Sequence, residues 1–421
     1  MLRGSVLMTT HEQQSKEFLM AEILTPTLIT AEANPPRIRL EYLDGLRGLA
    51  ALFVVIHHIY FSFCAEVTLP HRVAQATYFL YLGRSAVDIF IVLSGYCLML
   101  PVVRNPERQL TGGLKLFFIR RAKRILPAYY AALSLSYILI AACPWLRYSS
   151  NSFWNGVFPA SSPGVIVSHL LLAHNLSPLW AHKVNYALWS VATEWQIYFA
   201  FALFLLPIWR RFGALAVVGA AFAIGFMLLA AFPQALSQAS PHFLGLFALG
   251  MLAADINFSP AKRVQSRLRW GIITALLFLP LCIPPSLYHR YFSLSVVEKD
   301  LFVGLGTASL LVYCTQHLQV NQPRQPSWVL GLLQSNILVF LGSFSYSLYL
   351  IHAPLVASVQ PLVLSWHLSP AVSLIVLLIV ALPVILGSSY LFHLAFERPF
   401  MRVSSRRRLA ERKAEEPVSI L

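Results

Sequence analysis

Residues 43–60 read LDGLRGLAALFVVIHHIY. The run is apolar enough to enter a bilayer, yet it carries Arg47 near its start and His57 and His58 deep inside. An ionisable group at the bilayer centre costs at least about 2.5 kcal/mol on insertion scales, so one found there usually faces a protein interior and has a task. Helix geometry separates the two histidines. Arg47 and His58 are eleven residues apart, about three turns, which leaves them roughly 20° out of register and about 16 Å apart along the axis. They share a face, whereas His57 lies about 80° away from Arg47 on the other side.

The rest of the chain makes the same point about its surroundings. Of 421 residues, 57% are hydrophobic and 12% charged, about half the charge of a soluble domain. Stretches near the length needed to cross about 30 Å of hydrocarbon recur throughout: 46–64, 85–103, 125–143, 186–209, 213–232, 241–257, 270–287, 300–316, 336–358 and 371–393. The expected fold is all-α, a polytopic transmembrane bundle of about ten spans, with the sixth and eighth the shortest.

The formal charge of +15 does not point to nucleic acid. With a cytosolic N-terminus and ten spans, all but six of the 32 Lys and Arg fall on the cytosolic side. The six are Arg72, Arg84, Arg147, Lys183, Arg290 and Lys299. That asymmetry follows the positive-inside rule, so the charge reports orientation. Residues 1–40 are polar and mixed, without the apolar centre of a secretory signal, and read as a cytosolic tail. The 401–421 run reads as a second charged tail near anionic lipid, and 41–400 as the membrane domain. Cys64, Cys97, Cys143, Cys282 and Cys314 form no CxxC pair and read as buried free thiols. Neither a phosphate-binding glycine loop nor a metal-binding HExxH spacing occurs, and no metal is expected.

Depth brings four ionisable residues into one layer. Counting along alternating spans, His58, Asp88, Glu194 and His352 all fall in the outer half of the membrane, which favours a shared cavity. Separate structural pairs would also satisfy them: Arg84 and Asp88 are four apart and can neutralise each other. Ser345, Tyr349 and His352 follow the i, i+4, i+7 stripe of one helix face, a pattern that also serves as interhelical glue. At the cytosolic side, residues 104–130 read RNPERQLTGGLKLFFIRRAKRILPAYY. Arg120, Arg121 and Arg124 sit there at the expected entrance to a helix, where guanidinium forks can bind phosphate or anchor to lipid.

Five stretches together resemble one family. LDGLRGLAALFVVIHH fits an Arg, ten residues, His signature through Arg47 and His58, and FFIRRAKRI fits Phe-x-x-Arg-Arg-x-x-Arg through Phe117, Arg120, Arg121 and Arg124. AVDIFIVLSGY, LWSVATEWQIYF and LGSFSYSLYLIHAPL follow in the same order. The chain thus resembles the acyltransferase-3 family of polytopic membrane acyltransferases over most of residues 40–400. Ala86 stands where glycine is frequent and Tyr96 where phenylalanine is common, and neither change removes a proton-transfer group. No extracytoplasmic esterase-like module is expected after the last span.

The resemblance implies transfer of an acyl group, commonly acetyl, from acyl-CoA to a hydroxyl of a surface glycan or other acceptor. It also implies a bacterial cytoplasmic membrane location, and the Lys and Arg asymmetry puts both termini in the cytosol. On that reading Arg47, Arg120, Arg121 and Arg124 serve the CoA donor. His58 is the general base, with Asp88 or Glu194 as its orienting partner, and Ser94, Ser345, Tyr349 and His352 line the cavity. No permanently bound cofactor is expected; the partners are acyl-CoA, a carbohydrate or lipid-linked glycan acceptor and membrane lipid. A covalent acyl-histidine route uses the same residues. A transporter or flippase, or a non-catalytic scaffold or sensor, would share the polytopic architecture.

Overall fold

The computed structural model describes residues 40–147, 161–259, 269–282, 294–320 and 327–401, and the regular elements among them are all helical. The expected tails therefore lie outside the described residues, apart from their innermost positions. Eight described helices are long and apolar enough to cross a membrane. They are α1 (Glu41–Glu66), α2 (Tyr78–Val103), α3 (Gly113–Ala142), α4 (Trp189–Phe212), α5 (Ala214–Ala231), α8 (Val296–Gln319), α9 (Ser345–Leu364) and α10 (Pro370–Met401). Two shorter apolar helices, α6 (Phe243–Phe258) and α7 (Trp270–Cys282), complete the ten expected positions.

Three boundaries differ from expectation, each for a local reason. Among the described residues the shorter pair is the sixth and seventh, the seventh described as far as Cys282, and the eighth is of spanning length. α8 extends through its charged first turn because Ser295 and Glu298 cap it reciprocally: the Ser295 N–H donates to Glu298 Oε2 at 2.6 Å, and the Glu298 N–H to Ser295 Oγ at 3.2 Å. α3 begins at Gly113, well before the expected start, after Gly112 turns the chain at φ 77°. Arg120, Arg121 and Arg124 accordingly lie along a helix face and not at its entrance. The ninth expected span is broken at Phe344 into Asn336–Ser343 and α9.

Close helix contacts position the site. Gly95 of α2 and Gly250 of α6 lie directly against the opposing backbone, where any side chain would collide with it, the small-residue packing typical of membrane helices. On the other side, Ala51, Val55, Ile59 and Phe63 of α1 share a core with Leu348 and Val356 of α9 and Leu377, Ala381 and Ile385 of α10. α1 and α9 are thereby held side by side, which decides what His58 meets. Of the five free cysteines only Cys314 is fully buried; Cys64, Cys97 and Cys143 are half-buried and Cys282 is exposed, which corrects the expectation that all are buried.

Candidate active site

A cavity of about 410 Å³ opens between α1, α2, α3, α4 and α9. One region of its wall carries Arg47, Arg120, Arg121 and Arg124. Apolar side chains, among them Val87, Ile91, Leu98, Val102 and Phe117, line much of the rest, together with Ser94, Ser190, Glu194, Tyr198, Ser345 and Tyr349. The four arginines expected to serve a donor therefore share one space with Glu194, Ser94, Ser345 and Tyr349.

The arginines differ in what already occupies them. Arg47 donates to Asp44 Oδ1 at 3.1 Å and to Cys97 Sγ at 3.1 Å. Arg120 holds the Thr111 carbonyl at 2.6 Å, tying the start of α3 to the preceding loop. Arg124 is exposed. Arg121 is half-buried on the cavity wall, and its Nε makes no hydrogen bond among the described residues. Buried donors are rarely left in that condition. Of the four, Arg121 is thus the one whose buried Nε is available to an anionic ligand.

A polar stripe runs along α4 toward these arginines. Glu194 Oε1 accepts hydrogen bonds from Ser94 Oγ and Tyr198 OH, both at 2.5 Å. One turn away, Ser190 Oγ and Tyr349 OH bond at 2.5 Å. Ser190 and Tyr198, which the sequence analysis did not single out, lie four residues either side of Glu194, so i±4 spacing was the available signal. A π-helical turn over Phe201–Leu205 begins three residues after Tyr198, an irregularity frequent at functional sites.

His58 and His352 lie next to the cavity and touch each other: His352 Nε2 is 3.0 Å from His58 Nδ1. His58 Nδ1 is also 3.0 Å from the Val54 carbonyl, and His352 Nδ1 is 2.7 Å from that of Tyr349. Tyr349 joins the pair to the cavity, its ring centroid 5.6 Å from that of His352 while its side chain lines the wall. His57 turns the other way, with Nδ1 2.7 Å from the Leu80 carbonyl.

Asp88 belongs to a different group. It is fully buried beside Arg84 and Asp300. Arg84 bonds to Asp300 Oδ2 at 3.4 Å and to Ser240 Oγ at 3.1 Å, and His242 Nε2 meets the same Asp300 oxygen at 2.9 Å. The anticipated Arg84–Asp88 pair is therefore replaced by Arg84–Asp300. The expectation of one cavity for all four ionisable residues holds for neither Asp88 nor the histidines in its simple form. Val87, Phe90, Ile91 and Ser94 face the cavity from α2, and Asp88 is turned toward Asp300 of α8. Ser345 lines the wall, donating to the Gly342 carbonyl at 2.9 Å across the break at Phe344.

Comparison with known proteins gives the chain's family. A family model described as an acyltransferase domain matches residues 40–394. Among curated relatives, a protein of Staphylococcus aureus (strain COL) carrying the provisional name O-acetyltransferase is 25% identical over 349 residues, covering 76% of this chain and 51% of the relative. YrhL of Bacillus subtilis (strain 168), provisionally named a peptidoglycan O-acetyltransferase, is 26% identical over 357 residues, 76% of this chain and 49% of the relative. Acyltransferase MdmB of Streptomyces mycarofaciens is 25% identical over 408 residues, 89% of this chain and 95% of the relative. The chain spans about half the length of the Staphylococcus and Bacillus relatives. No solved structure matches it. With a family model matching residues 40–394 and a helical bundle of membrane-spanning length, the chain belongs to the acyltransferase-3 family of integral membrane proteins.

Proposed function

We propose that the protein is a membrane O-acyltransferase that takes an acetyl group from acetyl-CoA entering at the arginine end of the cavity and passes it to a hydroxyl of a glycan acceptor. The observation that carries the reading is the polarity of the site, with guanidinium groups on one part of the wall and a histidine pair reached past Tyr349. CoA phosphates suit the arginines, because charge-assisted, forked hydrogen bonds to phosphate are among the strongest available. The pantetheine arm then lies along the apolar wall. His58 stands about 16 Å from Arg47 along α1, within reach of an extended arm.

His58 takes the acceptor hydroxyl proton as the oxygen attacks the thioester carbonyl. A C–O bond forms, the C–S bond breaks, and the electron pair leaves with sulfur. The proton returns from His58 to the thiolate, so hydroxyl and thioester become ester and free thiol. Glu194, bonded by Ser94 and Tyr198, holds the cavity wall in shape and offers negative charge opposite Arg121. The B. subtilis relative's name motivates a glycan acceptor. The test is to compare acyl content and mass of surface glycans from cells with and without the protein. One acetyl unit fewer on the glycan when it is absent is the expected result, and identical glycans would reject the acceptor class.

The donor side makes a separate prediction. If acyl-CoA enters from the cytosol, the basic segment before Arg120 faces it, as the positive-inside rule also demands. A Lys115→Cys variant should resist an impermeant thiol reagent applied to intact cells and react after permeabilisation. Labelling from outside would invert the topology and reject the proposed donor entrance.

A further inference from the structure

We propose that His352 is the positioning partner of His58, accepting its Nδ1 proton and so holding the base in the tautomer whose Nε2 is the proton acceptor. The proposal rests on the reading of His58 as the base and replaces the carboxylate partner expected from sequence.

The argument is one of hydrogen-bond polarity. A backbone carbonyl only accepts, so a ring nitrogen bonded to one must carry a proton. His352 Nδ1 is 2.7 Å from the Tyr349 carbonyl and is therefore the protonated nitrogen of that ring. In the neutral ring Nε2 then bears the lone pair. That lone pair lies 3.0 Å from His58 Nδ1, and two lone pairs would repel at this distance, so His58 Nδ1 carries the proton between them. The Val54 carbonyl, 3.0 Å from the same His58 nitrogen, makes the same demand independently. Two acceptors converge on His58 Nδ1, and Nε2 is left basic.

Neither candidate carboxylate competes for the role. Glu194 is engaged by Ser94 and Tyr198, and Asp88 lies with Arg84 and Asp300. His352 has the rigidity the task needs, being fully buried and anchored to the main chain of its own helix. When the acceptor hydroxyl proton moves onto His58 Nε2, the positive charge that develops is shared through Nδ1–H to His352 Nε2. The pairing matches that of a catalytic histidine with its orienting group, with an imidazole in place of the usual carboxylate, so that no net negative charge is buried there.

Nitrogen-15 NMR of histidine-labelled protein in nanodiscs tests this without any substrate, with the His58 signals assigned by their loss in His58→Gln. The parent should show His58 protonated on Nδ1. His352→Gln keeps a side-chain oxygen that can accept from His58 and should preserve that tautomer. His352→Leu leaves the Val54 carbonyl as the remaining acceptor at His58 Nδ1 and should lower the share of the Nδ1-protonated form without abolishing it, with kcat for acyl transfer from acetyl-CoA falling by up to roughly 10²-fold and KM for acetyl-CoA unchanged. A merely structural role would make the Gln and Leu variants alike. That result, or a parent spectrum with the His58 proton on Nε2, would overturn the proposal. Should no acyl transfer be found in the parent, the enzymatic reading falls while the spectra still decide the pairing.

Discussion

His58→Ala is expected to reduce acyl transfer by about 10²- to 10⁴-fold, the range for losing a general base, with the amount of protein in the membrane maintained. His57 provides an internal control of the same chemistry at nearly the same depth. Its ring bonds to the Leu80 carbonyl and packs against Gly83, so His57→Ala should cost on the order of 1 kcal/mol of stability, the worth of one hydrogen bond, while the rate stays within a few-fold of the parent. Any general penalty from altering polarity inside the bundle would strike both variants. The measurement is transfer of labelled acetyl from acetyl-CoA at matched membrane abundance. Equal rates in the parent and His58→Ala would remove His58 from the mechanism, and the face-sharing argument for the Arg47–His58 spacing would go with it.

The second large effect is expected at Arg121 and reads out in donor binding. Of the three arginines on α3, it alone combines a half-buried place on the cavity wall with an Nε that makes no hydrogen bond among the described residues. Arg120 already serves the Thr111 carbonyl, and Arg124 is exposed. Lysine keeps the charge and loses the planar fork. Losing a charge-assisted hydrogen bond costs about 1.5–3 kcal/mol, roughly a 10- to 100-fold change in an equilibrium constant. Arg121→Lys should therefore raise KM for acetyl-CoA by that factor with little change in kcat, and Arg124→Lys should raise it by less than about 5-fold, as befits an exposed, screened charge. Steady-state kinetics with acetyl-CoA as the varied substrate distinguishes the two. An unchanged KM in Arg121→Lys would return the cluster to a topogenic or lipid-binding role.

Much of the architecture is legible without coordinates because lipid leaves few alternatives. Backbone polar groups in hydrocarbon must be satisfied within the segment, so an apolar run of sufficient length is a helix. The ten positions follow from hydropathy alone. What hydropathy misjudges is the ends, where charge and membrane part company. α3 carries its helix through a basic stretch, and α8 begins in a charged turn that caps itself.

The site divides along a similar line. The Arg47–His58 register comes from helix period, and the five motifs point to a donor, a base and a polar cavity. Depth placed His58, Asp88, Glu194 and His352 in one layer, but depth is a single coordinate. Which way a residue faces around its helix depends on the neighbouring helix, and that is set by contacts far apart in sequence. The close approach of α2 and α6 through Gly95 and Gly250 turns Asp88 away from the cavity toward Arg84 and Asp300, 216 residues beyond Arg84. The shared core of α1, α9 and α10 brings His352 within hydrogen-bond distance of His58 across 294 residues. Sequence alone determined that this chain is a membrane-spanning helical bundle of the acyltransferase-3 family with histidine and arginine side chains inside it. Only tertiary packing decided that the partner of His58 is another imidazole, because helix period fixes faces within one helix and only helix contacts fix which faces meet.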